Sequence, residues 1–157
     1  MQNILPQYQI HEKTMALIPA KHIDYATIAI EQDQKLFINQ NPKQIMKQNC
    51  LDHLASFEGR RDAVTHQIGY KRKVPIAINP SRNLFTFPTH SPDNHNCHWI
   101  FYHHILKISA STKSPNHSII TFTSGEQLQV RISFYVLEKQ IHRTAMCVFR
   151  FGKVVGV

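Results

Sequence analysis

Cysteine is scarce in this chain of 157 residues: Cys50, Cys97 and Cys147 are all there is. An odd, widely spaced set is a poor disulfide framework and fits a reducing compartment. Acid is short as well, 10 Asp+Glu against 18 Lys+Arg, and the carboxylates are scattered. Only 5 glycines are present, and none builds a Gly-rich phosphate loop. Neither a G-x-S-x-G elbow nor an H-E-x-x-H pair occurs, so the reading is of a protein that is not an enzyme. No stretch approaches the roughly 20 apolar residues of a membrane helix. The opening MQNILPQYQIHEK lacks the basic-then-apolar order of a secretory signal, so a cytoplasmic protein with no membrane partner is expected. Repeats and low-complexity linkers are missing too. With 42% hydrophobic residues the chain can build a core, and one domain over residues 1–157 is expected.

What is present in excess is positive charge, and it is unevenly spread. Residues 1–62 hold 7 Lys/Arg and 7 Asp/Glu, which cancel. Residues 63–157 hold 11 Lys/Arg against Asp93, Glu126 and Glu138, and so carry the whole net charge of +8, with 8 of the 11 histidines. Such a half attracts a polyanion. A solvated basic surface is the bland alternative. An acidic membrane would need an amphipathic terminal helix or a lipidation motif, and neither accompanies the charge.

Short apolar runs punctuated by Pro and Gly predict an α+β fold, mostly antiparallel β-sheet, with two main helices. Expected strands are Met15–Ile18, Tyr25–Ile30, Leu36–Ile38, Val74–Ile78, Leu84–Phe87, Trp99–Ile108, Ser118–Thr123 and Gln127–Ile132. Ser124-Gly125-Glu126 joins the last two as a hairpin. A helix over Pro42–Leu54 is expected to be capped by Asn41, with Ile45, Met46, Cys50 and Leu54 on its buried face. A second, over Phe134–Val148, is expected to be capped by Ser133 and to bury Phe134, Leu137, Ile141, Ala145 and Val148. Helical spacing then gathers Lys139, His142, Arg143 and Arg150 with Tyr135 on another face, which could lie along phosphates or merely face water.

Two further basic groups stand out. Arg60-Arg61 follows Gly59, a residue that would let the backbone turn sharply or approach a partner closely, and Lys71-Arg72-Lys73 comes ten residues later. Arg donates two parallel hydrogen bonds to phosphate and is drawn into the negative, narrow minor groove of A·T-rich DNA. Arg60, Arg61, Lys71, Arg72, Lys73, Lys139, His142 and Arg143 are therefore the candidate DNA-binding residues. Cys50 and His53, with His95, Cys97 and His98, supply enough ligand types for zinc. Their spacing matches no standard knuckle and Cys50 lies on a buried stripe, so no metal or other cofactor is assigned. Trp99, Phe101 and Tyr102 could stack on unpaired bases, which would make the protein a single-strand-binding module. Trp99 and Phe101 share one strand face and are assigned to packing instead.

Several ordered blocks carry a resemblance: NQNPKQIMKQNCL at Asn39–Leu51, FEGRRDAVTH at Phe57–His66 and NPSRNLFTFPTHSP at Asn79–Pro92 with Cys97-His98-Trp99-Ile100. TFTSGEQLQVRISFY at Thr121–Tyr135 and IHRTA at Ile141–Ala145 complete it. Together, over about Met15 to Met146, they resemble the ComK competence transcription factors. The resemblance implies an activator of DNA-uptake genes in the cytoplasm, at the nucleoid. It implies a homo-oligomer on double-stranded DNA, binding A/T-rich boxes largely through the minor groove. It also implies turnover through an adaptor and a Clp protease. Gly59, Arg60 and Arg61 fall at the family's Gly-Arg-basic position; Lys71–Lys73 rest on charge. The likeness fades after about Met146, so the longer family tail is expected to be absent, and a truncated regulator without DNA binding is the alternative.

Overall fold

A computed structural model describes residues 3–152. Seven strands form one sheet in the order β1-β4-β3-β2-β7-β6-β5. These are β1 (Ile4–Leu5), β2 (Thr14–Pro19), β3 (Thr27–Glu31), β4 (Lys35–Ile38), β5 (Ile76–Asn79), β6 (Leu84–Pro88) and β7 (Trp99–Phe101). All neighbours are antiparallel except β1 on β4. A smaller sheet, β10-β9-β8, contains β8 (Ile105–Ala110), β9 (Ser118–Phe122) and β10 (Gln127–Val130). The helices are α1 (Pro42–Asp52), α2 (Phe57–Ile68) and α3 (Phe134–Phe151). The fold is α+β, as the sequence predicts.

The large sheet is a middle layer, and its side chains sort accordingly. Leu17, Trp99 and Phe101 point to one face, where Ile45, Met46 and Cys50 of α1 and Phe57 of α2 meet them. Met15, Phe87 and Ile100 point the other way, onto Ile120 and Phe122 of β9 and Leu137 of α3. Because both faces are covered, β6 and β7 are apolar nearly throughout instead of alternating with polar residues. A third cluster joins Val64 of α2 and Cys147 of α3 to Val74, Ala77 and Phe85, so the two helices meet at the β5 edge.

Local chemistry sets the helix ends. Asn41 caps α1 in a reciprocal box with Gln44, both bonds 2.8 Å, and Pro42 opens the helix where its missing N–H costs nothing. Ser133 caps α3 by accepting from the Val136 N–H at 3.2 Å. Four expectations are corrected. Leu54, expected on the buried face of the first helix, lies past its end at Asp52 and is 97% exposed. The stretch after Ser56 is a helix, α2, where the sequence suggests a turn at Gly59. The strand expected over Trp99–Ile108 is broken by a 3₁₀ turn at Tyr102–His104, because the chain leaves the large sheet after Phe101 and enters the small one at Ile105. His103 and His104 therefore lie in that turn. The buried face of α3 runs Leu137, Gln140, Thr144, Cys147, so a glutamine and a threonine occupy core positions that the sequence assigns to Ile141 and Ala145.

Candidate nucleic-acid interface

The candidate surface is built where α2 ends. Gly69 closes the helix in the left-handed region, at φ 100°, and the chain turns through Tyr70, Lys71, Arg72 and Lys73 before Val74 re-enters the core. Lys73 also has a positive φ, 48°, an uncommon conformation for a residue with a Cβ. The side chains of α3 hold this turn from behind. Gln140, 1% exposed, donates from Nε2 to the carbonyls of Lys73 (2.9 Å) and Pro88 (2.8 Å). Arg143 donates to Gln140 Oε1 at 2.7 Å and to the Arg72 carbonyl at 2.8 Å, and its guanidinium lies 4.4 Å from the centre of the Tyr70 ring. Burial draws the Arg143 pKa below the usual guanidinium range, an effect opposed by Tyr70 and Cys147.

With the backbone fixed in this way, Lys71 and Arg72 are exposed and Lys73 is half-buried. Arg61, Lys71, Arg72 and Lys73 line a groove of about 490 Å³ together with Lys43 and Asp93. A second hollow of about 270 Å³, beside Tyr70, is lined by Lys139, His142 and Arg143 with Tyr135, Glu138 and Met146. The structure thus places seven of the eight sequence-predicted residues around one turn and the helix behind it. Arg60 is the exception. It leaves α2 on the other side, is half-buried near Cys50 and His53, whose titration its charge affects, and its Nε has no hydrogen-bond partner among the described residues.

Neutralisation separates the candidates further. Lys43 is paired with Asp93, and Arg61 is 3.3 Å from its neighbour Asp62. Among the described residues, Lys71, Arg72, Lys73 and Lys139 enter no ion pair. Arg131 is also unpaired and exposed, and sequence reasoning missed it. It stands alone between β10 and α3, with no basic neighbour in sequence to mark it. The charges of Arg131 and Lys73 both act on the His90 ring, so the fold brings the two cations into one neighbourhood. Burial chiefly, and then these two charges, hold the His90 pKa below the usual histidine value.

The remaining constellations are structural. Trp99 and Phe101 are 0% and 3% exposed, with Trp99 edge-on to Phe57 at 5.9 Å, so they offer no platform for bases. Cys50, Cys97 and Cys147 are free and buried, and burial raises each thiol to about 11. Cys97 donates to the His90 carbonyl at 3.3 Å. Among the described residues no three His, Cys, Asp or Glu side chains converge as metal ligands would. Nor is any described helix long and apolar enough to cross a membrane.

Comparison with known proteins adds identity to this geometry. The chain is 30% identical over 143 residues, 90% of its own length and 73% of the relative's, to the competence transcription factor of Bacillus subtilis (strain 168). No solved structure matches it. The family model described as ComK protein matches residues 5–155, nearly the whole chain, and the protein is a member of the ComK family.

Proposed function

We propose that this protein is a transcriptional regulator of competence that acts by binding duplex DNA, with residues 1–157 serving as one DNA-binding domain. Family membership and the similarity to a competence transcription factor support the regulatory part. The observation that carries the DNA part is the unneutralised cluster of Lys71, Arg72 and Lys73 at one turn, flanked by Arg61 and Lys139. Phosphates supply the missing counter-charges, and the released counterions drive association.

The finer reading is activation from A/T-rich sites, contacted largely through the minor groove. A short basic turn suits a narrow groove whose negative potential draws in Arg and Lys. That groove separates A·T from G·C but little else, so shape and charge would do much of the reading. A homo-oligomer on DNA, residence at the nucleoid in the cytoplasm and turnover through an adaptor and a Clp protease complete the proposal. Catalysis has no part in it.

The test is an electrophoretic shift with A/T-rich and G/C-rich duplexes across a salt series. The expected result is tighter binding to the A/T-rich duplex, with log K falling against log salt by about 0.9 per phosphate contact. Equal affinity for the two duplexes at every salt would refute the groove reading. Absence of duplex binding at low salt would refute the DNA reading itself.

A further inference from the structure

We infer that Gln140 and Arg143 of α3 are positioning residues, which set the shape of the 70–73 turn and thereby the aim of its cations. For Arg143 this is a role besides direct phosphate contact. The inference rests on the DNA-binding reading for its consequence, though not for its geometry.

Two of the five N–H donors of Arg143, one on each terminal nitrogen, are directed within the protein. Nη1 is given to Gln140 and Nη2 to the Arg72 carbonyl, while Tyr70 covers one face of the guanidinium. Gln140 has no freedom. It is buried, its two amide hydrogens go to Lys73 and Pro88, and its oxygen takes the Arg143 hydrogen bond. Two consecutive carbonyls of the basic turn, Arg72 and Lys73, are thus held by two side chains one turn apart on one helix, Arg143 and Gln140.

The turn needs such a hold. Lys73 sits in the left-handed region, which a lysine does not choose unaided. Three adjacent cations also repel one another, most strongly when no anion is bound. Neutral carbonyl anchors fix the backbone without spending any of the positive charge. Lys71, Arg72 and Lys73 then reach a polyanion already ordered, and binding avoids part of the ordering cost that a floppy basic loop incurs.

The closing experiment compares the full-length chain with Gln140→Leu, which changes no charge, and Arg143→Lys, which keeps the charge but loses the fork. Two properties are read: backbone ¹⁵N order parameters at residues 71–73, and duplex affinity across a salt series. The expected result for both variants is a fall at these positions from about 0.85 to below about 0.6, with the β2, β3 and β7 values unchanged. Affinity should fall, and the salt slope should drop by more than about 0.9, the share of one phosphate, even for the neutral Gln140→Leu. If Arg143→Lys retains full affinity and slope, Arg143 acts as a simple point charge or not at all, and the inference is overturned. Unchanged backbone order in the turn of Gln140→Leu overturns it as well. Should Gln140→Leu unfold, Gln140→Met, which is neutral and of similar length but also loses both donors, takes its place. A chain that binds no duplex, yet shows the turn loosening in both variants, fails the DNA reading and leaves the positioning role standing.

Discussion

Two charged regions of this molecule are organised in opposite ways. At one, around β2 and β3, charge is answered by charge or by direct hydrogen bonding to it. Glu31, 4% exposed, accepts from the Tyr8 hydroxyl at 2.7 Å, from His11 Nε2 at 2.9 Å and from Gln34 at 3.1 Å. Nearby, Glu12 holds Arg82 with bonds of 2.8 and 2.6 Å. At the other, the 70–73 turn, cations are held only through their backbone, by an amide and by an arginine aimed at carbonyls. The first arrangement uses up its electrostatic potential on the fold. The second leaves it for a partner. The difference follows from what each region must do, since a charge that is already paired has little left to offer a polyanion.

The largest expected effect comes from discharging the turn. Lys71→Ala combined with Arg72→Ala should weaken duplex binding by roughly tenfold to a hundredfold at moderate salt and lower the salt slope by about 1.8, two phosphates' worth. Thermal stability should hold, because both side chains are exposed and unpaired. Arg82→Ala is the control in the other region. It removes one charge where the double substitution removes two, but one committed to Glu12, and should leave the salt slope where it was. Equal losses per charge removed would mean that binding senses only net charge, and the comparison between the regions would dissolve.

A smaller effect, on stability alone, is expected from Glu31→Gln. Burial by itself would raise the Glu31 carboxyl, but the hydrogen bonds from Tyr8, His11 and Gln34 outweigh it and hold the carboxyl below its ordinary value. The substitution leaves buried donors poorly matched and should cost about 1–3 kcal/mol, with duplex affinity unchanged well below the melting temperature. The pH dependence has a definite sign. A depressed folded-state carboxyl contributes its full stability above the unfolded value of about 4.3 and loses it as pH falls through the folded value. The gap in melting temperature between wild type and Glu31→Gln should therefore be constant near neutrality and narrow below about pH 4. A gap that widened in acid would contradict the assignment of Glu31 as an ionised, hydrogen-bonded group.

The two regions also differ in how much of them is legible in the sequence. Strong periodicity and good caps announced α1, and Ser124-Gly125-Glu126 announced the β9–β10 hairpin. The charge imbalance pointed to the correct half of the chain for unpaired cations. α2 was hidden because FEGRRDAVTHQI buries only Phe57 and Val64, too few to make a stripe, although Ser56 and Gly69 stand at its ends as cap residues. The role of Gln140 was hidden for a different reason. A glutamine on a helix reads as solvated, and only the tertiary approach of the Lys73 and Pro88 carbonyls gives it a reason to be buried. Arg131 needed the fold to bring it to Lys73. Local signals show which residues a chain can spare for a partner; long-range contacts decide which of them are gathered.

The smallest expected effect concerns Gly59, whose place before Arg60-Arg61 suggested a sharp turn or a close approach of backbone to DNA. In the structure it is the third residue of α2, and its N–H is accepted by the Ser56 hydroxyl at 2.8 Å. A Cβ placed there would lie 2.8 Å from that oxygen, so the serine must rotate away and the cap is weakened. Losing such a cap costs about 1 kcal/mol. Alanine inside a helix returns roughly 1 kcal/mol over glycine. The two nearly cancel, and Gly59→Ala should leave the melting temperature within a few degrees of wild type, with duplex affinity unchanged. In a Ser56→Ala background there is no cap left to lose, and the same substitution should stabilise the protein by about 1 kcal/mol. A glycine required for backbone approach to DNA would behave otherwise: Gly59→Ala would cut duplex affinity in either background while stability hardly moved, and α2 would then belong to the contact surface instead of supporting it.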